Sequence, residues 1–189
     1  MNLLFKHAAG AATLLLLSAC ATVAPQPNPT LTGIDGQACV GTIVTPPAGL
    51  VPVEDPTLLT SAEGPSGQGK LCAGRTFVAQ QPVTVYRVWD SSRSYTVYGS
   101  WWSLDKPEGP RERYRVEEDI CPEWSALDRV TSCTIKAGSH VVIGPGQSAT
   151  CADGSTLAKS PVNQVYIPND GRNNVLYVEN CSAGAPWPN

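Results

Sequence analysis

The sequence predicts a mainly β, α+β domain with one or two short helices, stabilised by disulfides. Two observations predict it. From Thr76 onward the chain breaks into short β-branched and aromatic segments bounded by Gly, Pro, Asn or Asp, and six cysteines follow what reads as an export leader. At 189 residues and 20.0 kDa there is room for one modest domain.

The segments, in order, are RTFVA, PVTVYRVWD, YTVYGSWWS, SHVVIG, NQVYIP and NVLYVEN, each the length and composition of a strand. Between Pro107 and Asp119, PEGPRERYRVEED has proline near its start and charges at helical spacing, which predicts a helix. PEWSALDRV adds a further turn or two of helix to the expectation. The domain is expected over residues 76–185. Residues 34–75 carry TPPAGLVPVEDP and SAEGPSGQGK, and their Pro and Gly predict an irregular arm fastened by a disulfide.

The N-terminus has the order of a bacterial lipoprotein signal peptide over residues 1–19. Lys6 and His7 precede an apolar run from Ala8 to Leu17, which ends in Leu17-Ser18-Ala19-Cys20. Cleavage ahead of Cys20 would make it the lipidated residue, with acyl chains as a membrane anchor. Residues 20–33, rich in Pro, Ala and Thr, read as a disordered spacer. Ala21 and Thr22 offer no aspartate after the cysteine, so the expected location is the bacterial outer membrane. The net charge of -3 and pI near 5.3 give no general attraction to nucleic acid, and no nucleic-acid partner is expected.

Cys39, Cys72, Cys121, Cys133, Cys151 and Cys181 form an even set in an exported chain, which predicts three disulfides. A zinc site would want close cysteine pairs with histidines, and the sequence has no CxxC, so no metal is expected. Six cysteines allow about fifteen pairings. Joining sequence neighbours gives Cys39 with Cys72, Cys121 with Cys133, and Cys151 with Cys181.

Candidate functional residues begin with Arg87. Alternation along the strand puts it on one face with Val83, Val85 and Trp89, where a guanidinium must be paired. Its partner is either a carboxylate of the protein, the commoner outcome, or an anionic ligand gripped by the planar fork. His140 stands in GSHVVIG with no neighbouring nucleophile motif, which gives a histidine-based hydrolase little support. Arg111 and Arg115, four residues apart, either reach a phosphate from the helix or form a solvated face with the nearby glutamates, the commoner outcome. The pairs Glu117 with Glu118 and Glu123 with Asp128 are likewise expected on a solvated face.

The run VYRVWDSSR, then YGSWWS, then IKAGSHVVIGPGQ and NQVYIP resembles C-terminal toxin domains of bacterial polymorphic secretion proteins. Those domains have the ADP-ribosyltransferase-like fold, a compact split β-sheet, and include secreted NAD glycohydrolases in which a glutamine replaces the late glutamate. The resemblance covers about residues 83–169. It implies that Arg87 holds the phosphate and ribose side of a dinucleotide, with Gln164 at the late catalytic position. It places Ser100 and Ser103 near the nicotinamide pocket, with Trp101 or Trp102 as a stacking surface. NAD is then a substrate, with no bound cofactor. STLAKSPVNQ departs from the glycine-rich loop that precedes the glutamine in those toxins. The bland alternatives are Gln164 on the exposed face of an edge strand and both tryptophans in the core. The alternative function is a non-catalytic envelope lipoprotein that serves as a binding, structural or immunity module with a protein ligand.

Overall fold

The computed structural model describes residues 30–187. The leader, Cys20 and residues 20–29 of the spacer lie outside the described residues. No helix among the described residues is long and apolar enough to cross a membrane.

The elements in chain order are β1 (Leu50–Pro52), α1 (Pro56–Ala62), β2 (Arg75–Ala79), β3 (Val83–Trp89), β4 (Trp101–Ser103), α2 (Arg111–Glu117), β5 (Arg129–Ile135), β6 (His140–Pro145), β7 (Ala149–Thr150), β8 (Thr156–Leu157), β9 (Asn163–Tyr166), β10 (Val178–Glu179) and β11 (Ala185–Pro186). A mainly β, α+β fold is therefore what the chain adopts. One antiparallel sheet runs β1-β2-β6-β9-β4-β3-β5-β10, with β11 also on β5, and β7 with β8 forms a separate ribbon.

Alternation explains the core. Phe77, Val85, Trp102, Ile135, Val141, Ile143 and Val165 are buried together on one face of the sheet. Val142, pointing the other way from its neighbours on β6, packs with Leu58, Ala62 and Leu71 under α1. That helix lies in the arm expected to be irregular. It forms because Asp55 caps it, accepting from Leu58 N at 3.0 Å, and Pro56 stands in its first turn. The arm also supplies β1, paired with β2.

Three further differences from the sequence reading have local causes. YTVYGSWWS forms a 3₁₀ turn over Ser94–Tyr98 and only a short strand, because Gly99 and Ser100 separate the two. PEWSALDRV gives one 3₁₀ turn at Pro122–Trp124 and then enters β5, whose first two residues, Arg129 and Val130, lie in the stretch expected to be helical. NVLYVEN contributes only Val178–Glu179 as strand.

Three disulfides form, and two of the expected pairings are corrected. Cys39 joins Cys72 as expected, but Cys121 joins Cys151 and Cys133 joins Cys181. Sheet register decides this. Cys133 lies inside β5, whose residues Thr134 and Ile135 pair with Glu179 and Val178, so the chain just beyond β10 brings Cys181 alongside. Cys121, past the end of α2, is buried with Ala149 and Cys151.

The sheet has a seam. Strands β3 and β4 share one paired position, Tyr86 with Ser103, whereas β3 pairs with β5 along its whole length. Beyond that position a cavity opens between the two strands and α2.

Candidate functional site

A cavity of about 370 Å³ lies at this seam, within the range of small-molecule pockets. Its wall includes Arg87 and Val88 from β3, Trp101 and Trp102 from β4, Gln164 from β9, and Tyr114, Glu118 and Asp119 from α2 and its end. Lys70 and Trp124 close the side facing the arm.

Arg87 spans the seam. Its Nε donates to Thr96 O at 2.7 Å and its Nη1 to Trp101 O, so two backbone carbonyls fix the guanidinium. The guanidinium lies directly against Gly99, where a Cβ would stand 2.2 Å from Nη2 and 2.5 Å from Cζ. Among the described residues no ion pair involves Arg87. Desolvation brings its pKa down to about 10, which leaves it protonated at neutral pH. The site therefore holds a fixed cation that has dipoles but no carboxylate bonded to it, an arrangement suited to an anionic ligand group.

Gln164 is 2 % exposed on an inner strand, between β6 and β4, and not on an edge. Its Nε2 donates to Glu118 O at 3.0 Å, which sets the amide's orientation against the end of α2. Ser103, the β4 residue paired with Gln164, stands behind the wall and donates from Oγ to Glu118 Oε1 at 3.1 Å. The hydroxyls of Ser103 and Tyr114 are 3.2 Å apart. Trp102 belongs both to the core and to the cavity wall, its Nε1 donating to Gly99 O at 2.8 Å.

The end of α2 carries two buried acids that the sequence reading missed or placed in solvent. Glu118 is 8 % exposed, and burial raises its pKa to about 8, with the charges of Asp119 and Glu117 adding to the effect against the Ser103 hydrogen bond. Asp119 is fully buried and burial raises it to about 8. Among the described residues neither Asp119 carboxylate oxygen has a hydrogen-bond partner. Burial raises the Tyr114 hydroxyl strongly, the neighbouring Glu118 charge adding to it, so the phenol stays protonated.

Other expected site residues lie elsewhere. Ser100 Oγ donates to Asn169 O at 3.2 Å, a backbone tie outside the cavity wall. Arg111 is also outside it, with Nη2 donating to Trp187 O at 3.4 Å. Arg115 corrects the solvated-face expectation most clearly. It is 6 % exposed, and its Nη1 donates to Ile120 O, Cys121 O and Ser125 O, which ties the chain after α2 to the helix. Glu118 corrects it too, whereas Arg113 and Glu117 keep to the exposed side. His140 pairs with the cap residue Asp55 at 2.8 Å, away from the cavity.

The two acids make stability fall with pH. An unfolded carboxyl titrates near pH 4, and here both titrate near 8, so between those values the folded chain holds protons that the unfolded chain has lost. Stability is expected to decline from about pH 4 to about pH 8 and to level off above. Urea midpoints of the oxidised protein at pH 5.5 and 8.5 check this. An equal or higher midpoint at 8.5 would show that the acids ionise freely.

Comparison of the chain with protein-family models, with curated proteins and with solved structures finds no match.

Proposed function

We propose that the protein is an exported, lipid-anchored enzyme with an ADP-ribosyltransferase-like domain that cleaves the nicotinamide N-glycosidic bond of NAD. The supporting observation is that Arg87 and Gln164, on strands joined only through β4, line one cavity with an indole wall. The motif resemblance over residues 83–169 names the same two residues.

In this reading Arg87 holds the pyrophosphate side of the dinucleotide, since its fork is fixed by two carbonyls and lacks a bonded carboxylate. Trp101, the half-buried indole of the pair, presents aromatic surface for the nicotinamide ring, while Trp102 stays in the core. Gln164, buried and oriented by Glu118 O, hydrogen-bonds the ribose and fixes the sugar for departure of the ring. Ser103 acts from behind, holding Glu118 and Tyr114 in place. The anchor at Cys20 would hold the activity on the outer membrane, where NAD is met only from damaged or neighbouring cells.

Nicotinamide release from NAD by the purified, disulfide-intact protein tests the reading, beside Gln164→Ala. The expected result is release by the parent and a loss on the order of 10²-fold in the variant, the size of effect of one positioned polar group. A folded parent that neither releases nicotinamide nor binds NAD would sink the proposal. NAD binding without release would instead assign the cavity to a binding module.

A further inference from the structure

A glutamine at position 164 can orient a ribose but carries no charge to set against the cationic sugar that forms as nicotinamide leaves. We infer that Asp119 supplies that missing negative charge from beside the Gln164 amide, an assignment that rests on the NAD-cleaving reading.

Three geometric observations carry it. The first is position. A Cβ on Gly146 would stand 1.9 Å from Asp119 Oδ2 and 3.3 Å from Gln164 Nε2, so the carboxyl and the amide flank one point. A side chain at 146 would occupy the carboxyl's place, and glycine leaves it open. Asp119 also contributes to the wall that Gln164 and Arg87 share. The second is the absence of a structural use. Both carboxylate oxygens are buried without a hydrogen-bond partner among the described residues, although a buried acid is ordinarily satisfied by its neighbours.

The third is the backbone. Asp119 follows the last helical turn with φ 53, and Ile120 N donates back to Arg115 O at 2.9 Å, as in a Schellman ending of α2. Glycine is the residue that such a left-handed position favours. An aspartate there carries both a backbone cost and a buried, unpartnered carboxyl, and neither improves the fold.

Glu118, just past α2, interacts with Asp119 through charge, and the wall they share also carries Tyr114 from α2, Arg87 from β3 and Lys70 from the chain before β2. Burial keeps Asp119 protonated below about pH 8 in the empty site. A dinucleotide brings a cationic pyridinium ring, which favours the carboxylate, so binding is expected to release a proton. In the reaction the bond from the sugar C1′ to the ring nitrogen breaks, and its electron pair leaves with neutral nicotinamide. Water bonds to C1′ and loses one proton to solvent, giving ADP-ribose. Asp119 exchanges no atom in this step. Its carboxyl is enclosed, and it acts through charge and through the Gln164 amide, as a positioning residue.

The test uses the full chain with disulfides intact, as parent, Asp119→Asn and Asp119→Gly, with nicotinamide release followed from pH 5.5 to 9.5 and urea midpoints taken alongside. The parent's kcat/KM is expected to climb with pH and level near pH 8. The asparagine variant is expected to unfold at no lower urea concentration than the parent at pH 8, and to bind NAD within about threefold of it. It should lose on the order of 10²-fold in kcat, together with the pH climb. The glycine variant should be at least as stable and equally slow. An asparagine variant that keeps its rate, or the same pH climb, overturns the inference while nicotinamide release by the parent upholds the NAD reading. If a variant does not fold, the parent's profile decides, since a flat profile between pH 6 and 9 overturns the assignment. A folded parent without release overturns both.

Discussion

On the proposed NAD-cleaving reading, replacing Arg87 with methionine is expected to lower nicotinamide release from NAD by on the order of 10²- to 10³-fold, with much of the loss in kcat/KM. The unbranched apolar stem is kept, and what disappears is the guanidinium in the cavity wall. Two carbonyls, Thr96 O and Trp101 O, lose a charged donor, while the fold is relieved of a desolvated cation. These opposing effects should leave the urea midpoint little changed, so a rate loss would report on the site and not on unfolding. Arg87→Lys should rescue poorly, because an ammonium cannot make two fixed, planar contacts and still present a fork to a phosphate.

A complementary variant leaves the arginine in place. In Gly99→Ala the new methyl would fall 2.2 Å from Nη2, so the guanidinium must shift. A rate loss of the same kind is expected, although the charge remains. Parent-level rates in both Arg87→Met and Gly99→Ala would remove the clamp from the mechanism.

The largest stability effect is expected at Trp102. Its side chain is 1 % exposed and packs in the main core cluster on β4, the strand that joins β9 to the seam. Trp102→Ala should cost about 3–5 kcal/mol, the usual range for removing a buried large aromatic side chain. The indole Nε1 also holds Gly99 O at 2.8 Å, and Gly99 is where the Arg87 guanidinium rests. Trp102→Phe should therefore recover most of the packing but not the Gly99 bond, giving a protein that is nearly as stable yet has a looser Arg87. Urea unfolding of both variants at pH 5.5 checks the order. A cost below about 1 kcal/mol for the alanine variant would mean that the core closes over the gap.

Legibility in the sequence followed the range of the interaction. RTFVA and PVTVYRVWD announced β2 and β3 because a run of β-branched and aromatic residues is a local signal. β5 went unread because its first residues, Arg129 and Val130, fall in the segment expected to be helical, and its place between β3 and β10 supplies the stabilisation. The helix α1 was signalled by Asp55-Pro56, an N-cap followed by a first-turn proline, but the surrounding prolines masked it.

Within the site, Arg87 and Gln164 were named from the sequence, Arg87 because its strand face demanded a partner. Glu118 and Asp119 could not be. In the chain they end a charged helix, and nothing within several residues distinguishes a solvated carboxyl there from a buried one. Their burial comes from β4, β9 and the turn at Gly146, which reach them only after the sheet has closed.

By itself the sequence determined a mainly β domain, six cysteines able to form three disulfides, and a strand arginine that could not stay unpartnered among apolar neighbours. Those follow from side-chain periodicity, cysteine count and the cost of desolvating a charge, all properties of short stretches. Tertiary structure alone decided that Cys121 pairs with Cys151 and Cys133 with Cys181, that Gln164 is interior, and that carbonyls rather than a carboxylate hold Arg87. It also decided that two acids at the end of α2 lose their solvent. Each of these depends on strand order and register, which bring together groups dozens of residues apart, and on a dielectric environment that exists only once they have met.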